Sequence, residues 1–179
     1  IDVANIIKNE SKSSKLAVVV SAPQGVTNHL VAMAENISDE NKLKSDLQHF
    51  KHAIENIISD LSATLPEFCH QHSEQALANW EQQLSRYLHG ATLLSFCPEH
   101  VRARIISIGE RLSVALLHSV LAVDDIHVST IEPERFLHTN NVALNAVGDL
   151  VLCKDKYQQA YRDLNDVALM PGFIGVDSK

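Results

Sequence analysis

Four positions carry chemistry suited to holding a small charged molecule. Ser21, Gly25 and Thr27 fall in LAVVVSAPQGVTNHLVAMAE (residues 16–35), and Glu110 falls in ISIGERLSVALLHSVL (residues 106–121). Serine and threonine hydroxyls donate to carboxylate or phosphate oxygens, and a glycine lets the backbone approach a ligand closely or adopt φ > 0. The first three lie between an apolar run, residues 16–20, and a pattern of helical spacing at Leu30, Val31 and Ala34. In a parallel α/β sheet, ligands gather at the carboxyl ends of strands, where the next helix offers unpaired N–H groups and its positive dipole end. The stretch therefore reads as a cradle for a small anion. A plainer reading stays open, in which Thr27 is only an N-cap and Gly25 only a turn glycine.

Gly109-Glu110 interrupts an otherwise apolar helical pattern. An interior helical glycine costs about 1 kcal/mol relative to alanine, so close helix packing or ligand approach must offset it. Glu110 lies on a helix that reads as largely buried, and a buried carboxylate needs a partner. An ammonium group on a ligand would serve, and so would Arg111, Arg104 or a backbone amide.

Other chemistries are weaker. Cys69-His70-Gln71-His72 and the pair His49 and His52 invite a metal reading, but no second Cys or His cluster stands at zinc-site spacing, and these histidines are expected to be structural or solvent-exposed. No metal ligands are assigned. Neither a nucleophile-elbow pattern nor a G-x-x-x-x-G-K-[ST] loop is present, which argues against hydrolase and P-loop chemistry.

The elements that must position these residues are legible from periodicity. Val3, Ile6 and Ile7 predict a short opening helix that ends in the polar run of residues 8–15. The unalternating strand of residues 16–20 is expected to be buried on both faces. Leu43, Leu47, Phe50, Ile54, Ile58 and Leu61 mark an amphipathic helix of about five turns, stopped near Pro66. Leu77, Trp80, Leu84 and Leu88 carry a second helix, and the two predict an antiparallel hairpin over residues 41–89, packed on one edge of the domain. A third long helix follows Pro98, which suits a first turn. Apolar runs at 126–131 and 167–170 predict strands, separated by a helix through Leu150, Cys153, Tyr157, Tyr161 and Leu164. Strands separated by helices call for an α/β fold with a mostly parallel sheet.

With 179 residues, 45% of them hydrophobic, the chain has the size of one domain or one large lobe. A formal charge of −7 advertises no phosphate-tracking face, so nucleic acid is not an expected partner. No run matches the length of a membrane span, and the start lacks the basic and apolar regions of a signal peptide. The three cysteines are odd in number and far apart, as expected of free thiols in the cytoplasm. Ile1 at the start and a stop just after an apparent strand suggest that both ends are cut from a longer polypeptide.

Taken together, VVVSAPQGVTNHLVAMAE resembles the S-A-x-x-G-x-T-N segment of aspartate kinases, and IISIGERLSVALLHSVL resembles their G-E-x-x-S helix. The SAPxxxTNHLVAM pattern and the HGxxLLxxCP stretch at 89–98 are especially similar to the kinase region of bifunctional aspartokinase–homoserine dehydrogenases, and VALMPGFIGVDSK is similar to the strand and turn preceding the family's nucleotide segment. The family's K-F-G-G-T-S strand and G-R-G-G-S-D region are not in this sequence; Pro171 and Glu132 are smaller departures.

The resemblance implies a three-layer sandwich of the amino-acid kinase (carbamate kinase-like) fold, with a helical hairpin insertion and residues 1–179 as a partial catalytic domain. It implies transfer of the ATP γ-phosphoryl group to the β-carboxylate of L-aspartate, the first step of threonine, lysine and methionine biosynthesis. ATP and magnesium are then the expected cofactors, with ligands outside this chain, and the full-length protein is expected to be a homo-oligomer. Ser21 and Thr27 would hold aspartate oxygens, Gly25 would give backbone access, and Glu110 would accept the α-ammonium. A glutamate or acetylglutamate kinase, or a non-catalytic α/β module presenting the hairpin to a protein, remain the alternatives.

Overall fold

A computed structural model describes residues 1–68, 70–124, 126–140, 142–160, 164–172 and 174–177. Cys69, Tyr161 and Phe173 lie outside the described residues, as do the side chains of His70 and His72. In chain order the elements are α1 (Asp2–Glu10), β1 (Leu16–Val20), α2 (Val26–Glu35), α3 (Glu40–Thr64), α4 (His70–Leu94), α5 (Glu99–Ala122), β2 (Val128–Thr130), a 3-10 turn (Pro133–Arg135), β3 (His138–Thr139), α6 (Leu150–Ala160), β4 (Val167–Pro171) and β5 (Val176–Asp177). β4 is the centre of a parallel sheet of order β1-β4-β2, and β3 pairs with β5 in a separate parallel ribbon.

The predicted elements are present, although Leu164 falls outside α6 and Pro98 is the N-cap of α5 rather than part of its first turn. There are three larger adjustments. The helix marked by Leu43 to Leu61 runs longer than its apolar stripe. At its start Asp39 accepts a hydrogen bond from the Lys42 N–H at 3.1 Å, and Leu65 closes it just before Pro66, for a total of 25 residues. A residue before proline is steered away from helical ψ, which explains the stop. The hairpin partners are less self-contained than expected: α3 packs mainly on α2, and α4 mainly on α5. Phe50, Ile54 and Ile58 are nevertheless buried at i, i+4 and i+8 on α3, and Lys51 reaches Glu81 on α4 at 2.9 Å.

The third adjustment concerns β1. Its unbroken LAVVV is not buried on both faces. Leu16, Val18 and Val20 pack towards the helices, whereas Ala17 is exposed and Val19 is 62% exposed on the other face. Among the described residues β1 has a strand partner on one side only, and the small second cluster of Ile131, Phe136 and Ala168 covers β4 without reaching Val19. β4 is the strand that fits the expectation, because it has neighbours on both sides and Val167, Ala168 and Leu169 are all buried.

α5 organises the core. Contrary to the expectation that no run reaches membrane-spanning length, α5 is long and apolar enough to cross one by length and composition alone; Ile105, Ile108, Leu112 and Leu121 are nevertheless buried between α2, α4 and the sheet, as in the core helix of a globular domain. Gly109 is where α5 meets the segment after β1: a Cβ built there would stand 2.8 Å from the Ala22 Cβ and 3.2 Å from Leu30 and Val26 side-chain carbons. Real Cβ atoms do not approach that closely, so absence of a side chain is what permits the contact. Gly109→Ala should lower unfolding free energy by about 1–3 kcal/mol through overpacking. In contrast, Gly90→Ala on α4, where a Cβ meets nothing within 4 Å, should be neutral or stabilising by up to about 1 kcal/mol. Urea unfolding of the two variants checks the contrast; equal effects would contradict it.

Candidate functional site

β1 ends at Val20, and α2 begins at Val26 after five intervening residues. Gly25 is the N-cap, with φ +83°, a left-handed conformation that favours glycine. Thr27 is therefore not the N-cap; it is the second residue of the helix, with an exposed side chain. The Val26 N–H donates to the Pro23 carbonyl at 3.1 Å, and the Asn28 and His29 N–H groups donate to that of Gly25 at 3.1 and 3.4 Å. Among the described residues the Thr27 N–H is not engaged in this way, so Thr27 can offer both an amide and a hydroxyl at the positive end of α2. Ser21, also exposed, directly follows the last residue of β1.

Glu110 comes to the same mouth from α5. The Gly172 N–H, one residue past β4, donates to the Val20 carbonyl at 3.0 Å, and a Cβ at Gly172 would lie 3.5 Å from Glu110 Oε1. Glu110 thus reaches the point where the carboxyl ends of β1 and β4 meet. Its neighbour Gly109 rests on Ala22 and Val26, within and just after the Ser21–Gly25 turn. The residue is only 8% exposed, and Oε2 is buried with no hydrogen-bond partner among the described residues.

The protein partners considered for Glu110 do not fill that role. Arg111 turns away from it and grips Glu132 and Glu134 with its two terminal nitrogens, 5.4 Å over the Trp80 ring. This doubly paired arginine, only 14% exposed, is a feature that sequence spacing did not reveal. It forms a wall of a cavity of about 740 Å³ with Trp80, Tyr87, Arg104 and Glu134. That cavity lies between α4, α5 and the β3–β5 ribbon, and Glu110 does not line it. This cavity and the strand mouth are distinct places. Glu134 on the cavity wall also has an oxygen without a hydrogen-bond partner, but its carboxylate is paired with Arg111, whereas Glu110 has no such ion pair, and the chemistry therefore favours the mouth.

A model of the amino acid kinase family matches residues 2–179. The chain belongs to that family. Among members of it, the chain is similar to the bifunctional aspartokinase/homoserine dehydrogenase of Buchnera aphidicola subsp. Acyrthosiphon pisum (strain APS), with 29% identity over 97% of this chain and 21% of the relative. It is also similar to the protein of the same name from Haemophilus influenzae (strain ATCC 51907 / DSM 11121 / KW20 / Rd), with 27% identity over 98% of this chain and 22% of that one. Two crystal structures of E. coli aspartokinase III share the amino acid kinase fold. The complex with lysine and aspartate (T-state) superposes with TM-score 0.82 at 21% identity, over 99% of this chain and 39% of that one. The complex with aspartate and ADP (R-state) gives 0.81 at 22% identity, over 98% and 37%. The chain thus spans about a fifth of the length of these bifunctional relatives.

Within this amino acid kinase domain, burial pushes the Glu110 carboxyl up to about 7, and the positive charge of Arg111 only partly opposes that rise. The sign follows from linkage. With the folded value above the unfolded one near 4.3, the protonated group is favoured by folding; that contribution is complete below the unfolded value and is lost as pH rises through about 7. Stability should therefore fall by up to about 3 kcal/mol between pH 4 and pH 8 from this group. Glu110→Gln should remove that component, which paired denaturation profiles across the range would show. Parallel profiles for the two proteins would contradict it.

Proposed function

We propose that residues 1–179 are the acceptor-binding part of an aspartate kinase catalytic domain, with the helical hairpin of α3 and α4 at its edge, and that L-aspartate binds where β1, β4 and α5 meet. The observation that carries this reading is the buried, unpartnered Oε2 of Glu110 beside a hydroxyl-bearing helix N-terminus. An amino acid supplies what both sides lack. Its α-ammonium would give Glu110 a charge-assisted bond and hold the carboxylate ionised, while Ser21, Thr27 and the backbone at Gly25 would hold its carboxylate oxygens. The similarity to bifunctional aspartokinases supports aspartate over other amino acids.

In the reaction proposed, an oxygen of the β-carboxylate attacks the γ-phosphorus of ATP and the bond to ADP breaks. A carboxylate is already a nucleophile, so no general base is needed; the obstacle is the approach of two anions. The helix dipole and hydroxyls would neutralise the acceptor and fix its orientation. Ser21, Thr27 and Glu110 do not by themselves fit a magnesium ion, because the one carboxylate among them, Glu110, is held towards its neutral form by burial and two hydroxyls alone supply no anionic ligand. The unpaired thiols of Cys97 and Cys153 support a cytoplasmic setting.

A thermal-shift panel tests the proposal. L-Aspartate at one hundred times its Kd should add about 2.7 kcal/mol of stability, while succinate, which has no ammonium group, should add much less. Glu110→Gln should cost aspartate about 2–5 kcal/mol of binding, and Thr27→Ala a smaller part. Affinity should also strengthen as pH rises towards 7, because the ammonium requires the ionised carboxylate. Equal shifts with aspartate and succinate, or a Glu110→Gln variant that binds aspartate unchanged, would overturn the assignment.

A further inference from the structure

The helix that opens at Gly25 carries His29 in its first turns, and α3, which packs along it, carries Asp46 and His49 one turn apart. Sequence spacing pairs His49 with His52. Packing instead brings His49 to His29, with ring centroids 5.7 Å apart and planes inclined by 37°. One ligand atom from each of His29, Asp46 and His49 lies within 4.8 Å of the others. The Asn36 side-chain amide donates to Asp46 Oδ2 at 3.2 Å, which orients the carboxylate and leaves its second oxygen for another partner. His29 and Asp46 are half-buried and His49 is exposed, so the cluster has fixed walls and an open side.

We propose that His29, Asp46 and His49 form a binding site for a divalent transition-metal ion of the zinc class, clamping α2 to α3 and leaving a fourth position for water. Two imidazoles and one carboxylate suit zinc, cobalt or nickel better than magnesium or calcium, which prefer all-oxygen sets. Ligands at 2.0–2.1 Å in a tetrahedron stand about 3.3 Å apart, so small side-chain rotations close the cluster around an ion with both helices in place. The Asn36 contact supplies the outer hydrogen bond that metal-ligating carboxylates use to hold their orientation. The site shares α2 with the strand mouth but uses another face of it: Thr27 and His29 stand about 200° apart around the helix, and Glu110 comes from α5.

The test is a titration of the metal-free chain with Co2+, read by visible absorption, together with melting curves in Zn2+. The wild-type chain should bind one saturable equivalent of Co2+ at this site, and Zn2+ at one hundred times its Kd should raise Tm by about 5–10 °C. His29→Gln, Asp46→Asn and His49→Gln should each weaken binding by at least about tenfold. His52→Gln should leave it unchanged, as should removal of Cys69 and His72 in a double variant. His49 is exposed, so His49→Gln is the deciding variant if another fails to fold; its metal-free melt should match that of the wild type. No saturable Co2+ binding at millimolar metal would overturn the proposal. So would binding that persists undiminished in His49→Gln, or that disappears with Cys69 and His72.

Discussion

The close approach of α5 to the turn after β1 governs the arrangement of this domain. At Gly109 the helix comes so near Ala22, Val26 and Leu30 that even a methyl group has no room. Glycine inside a helix gives up about 1 kcal/mol relative to alanine, and the packing it permits offsets that loss. The next residue is Glu110, so the distance that sets the turn also sets the depth of the carboxylate. Displacing α5 outward would uncover Glu110, loosen the first turn of α2 and part the helix from β4 together. Backbone proximity, rather than a network of side-chain bonds, joins these elements.

Glu110 and Arg111 show how adjacent helical residues can take opposite electrostatic fates. They project about 100° apart around α5. Glu110 points to the strand ends, where burial without a protein partner favours its neutral form. Arg111 points towards α4 and the 3-10 turn, where two glutamates and the Trp80 ring satisfy it. Had the two side chains paired with each other, the mouth would contain a neutralised ion pair with little attraction for a cation. Engaging Arg111 elsewhere keeps Glu110 available, at a cost to the stability of the free domain.

Much of this was legible in the sequence, for reasons that differ by element. The stripes on α3, α4 and α5 follow a 3.6-residue period that survives any tertiary context. Glu110 stood out because a carboxylate interrupted an apolar face, and Gly25 because a turn between a strand and a helix had to reverse the chain. The edge position of β1 was not legible: LAVVV reads alike whether a strand has one neighbour or two, and it was β4 that took the central place. β3 and β5, with two residues each, are too short for any period. Arg111 with Glu132 and Glu134, and His29 with His49, are pairings between separate elements, which local spacing cannot show.

The open side of β1 matters for how the domain behaves in solution. Among the described residues, its outer edge presents unpaired backbone groups beside an outward-facing Val19, in a five-residue run without charge or proline. Such an edge is a template for a strand from another molecule, and two copies meeting there could extend the sheet across the contact. Lys15 immediately before the run and Pro23 shortly after it flank the template with a charge and a missing amide donor. They shorten the length over which a second chain can pair with this edge, a role for two residues outside the buried core.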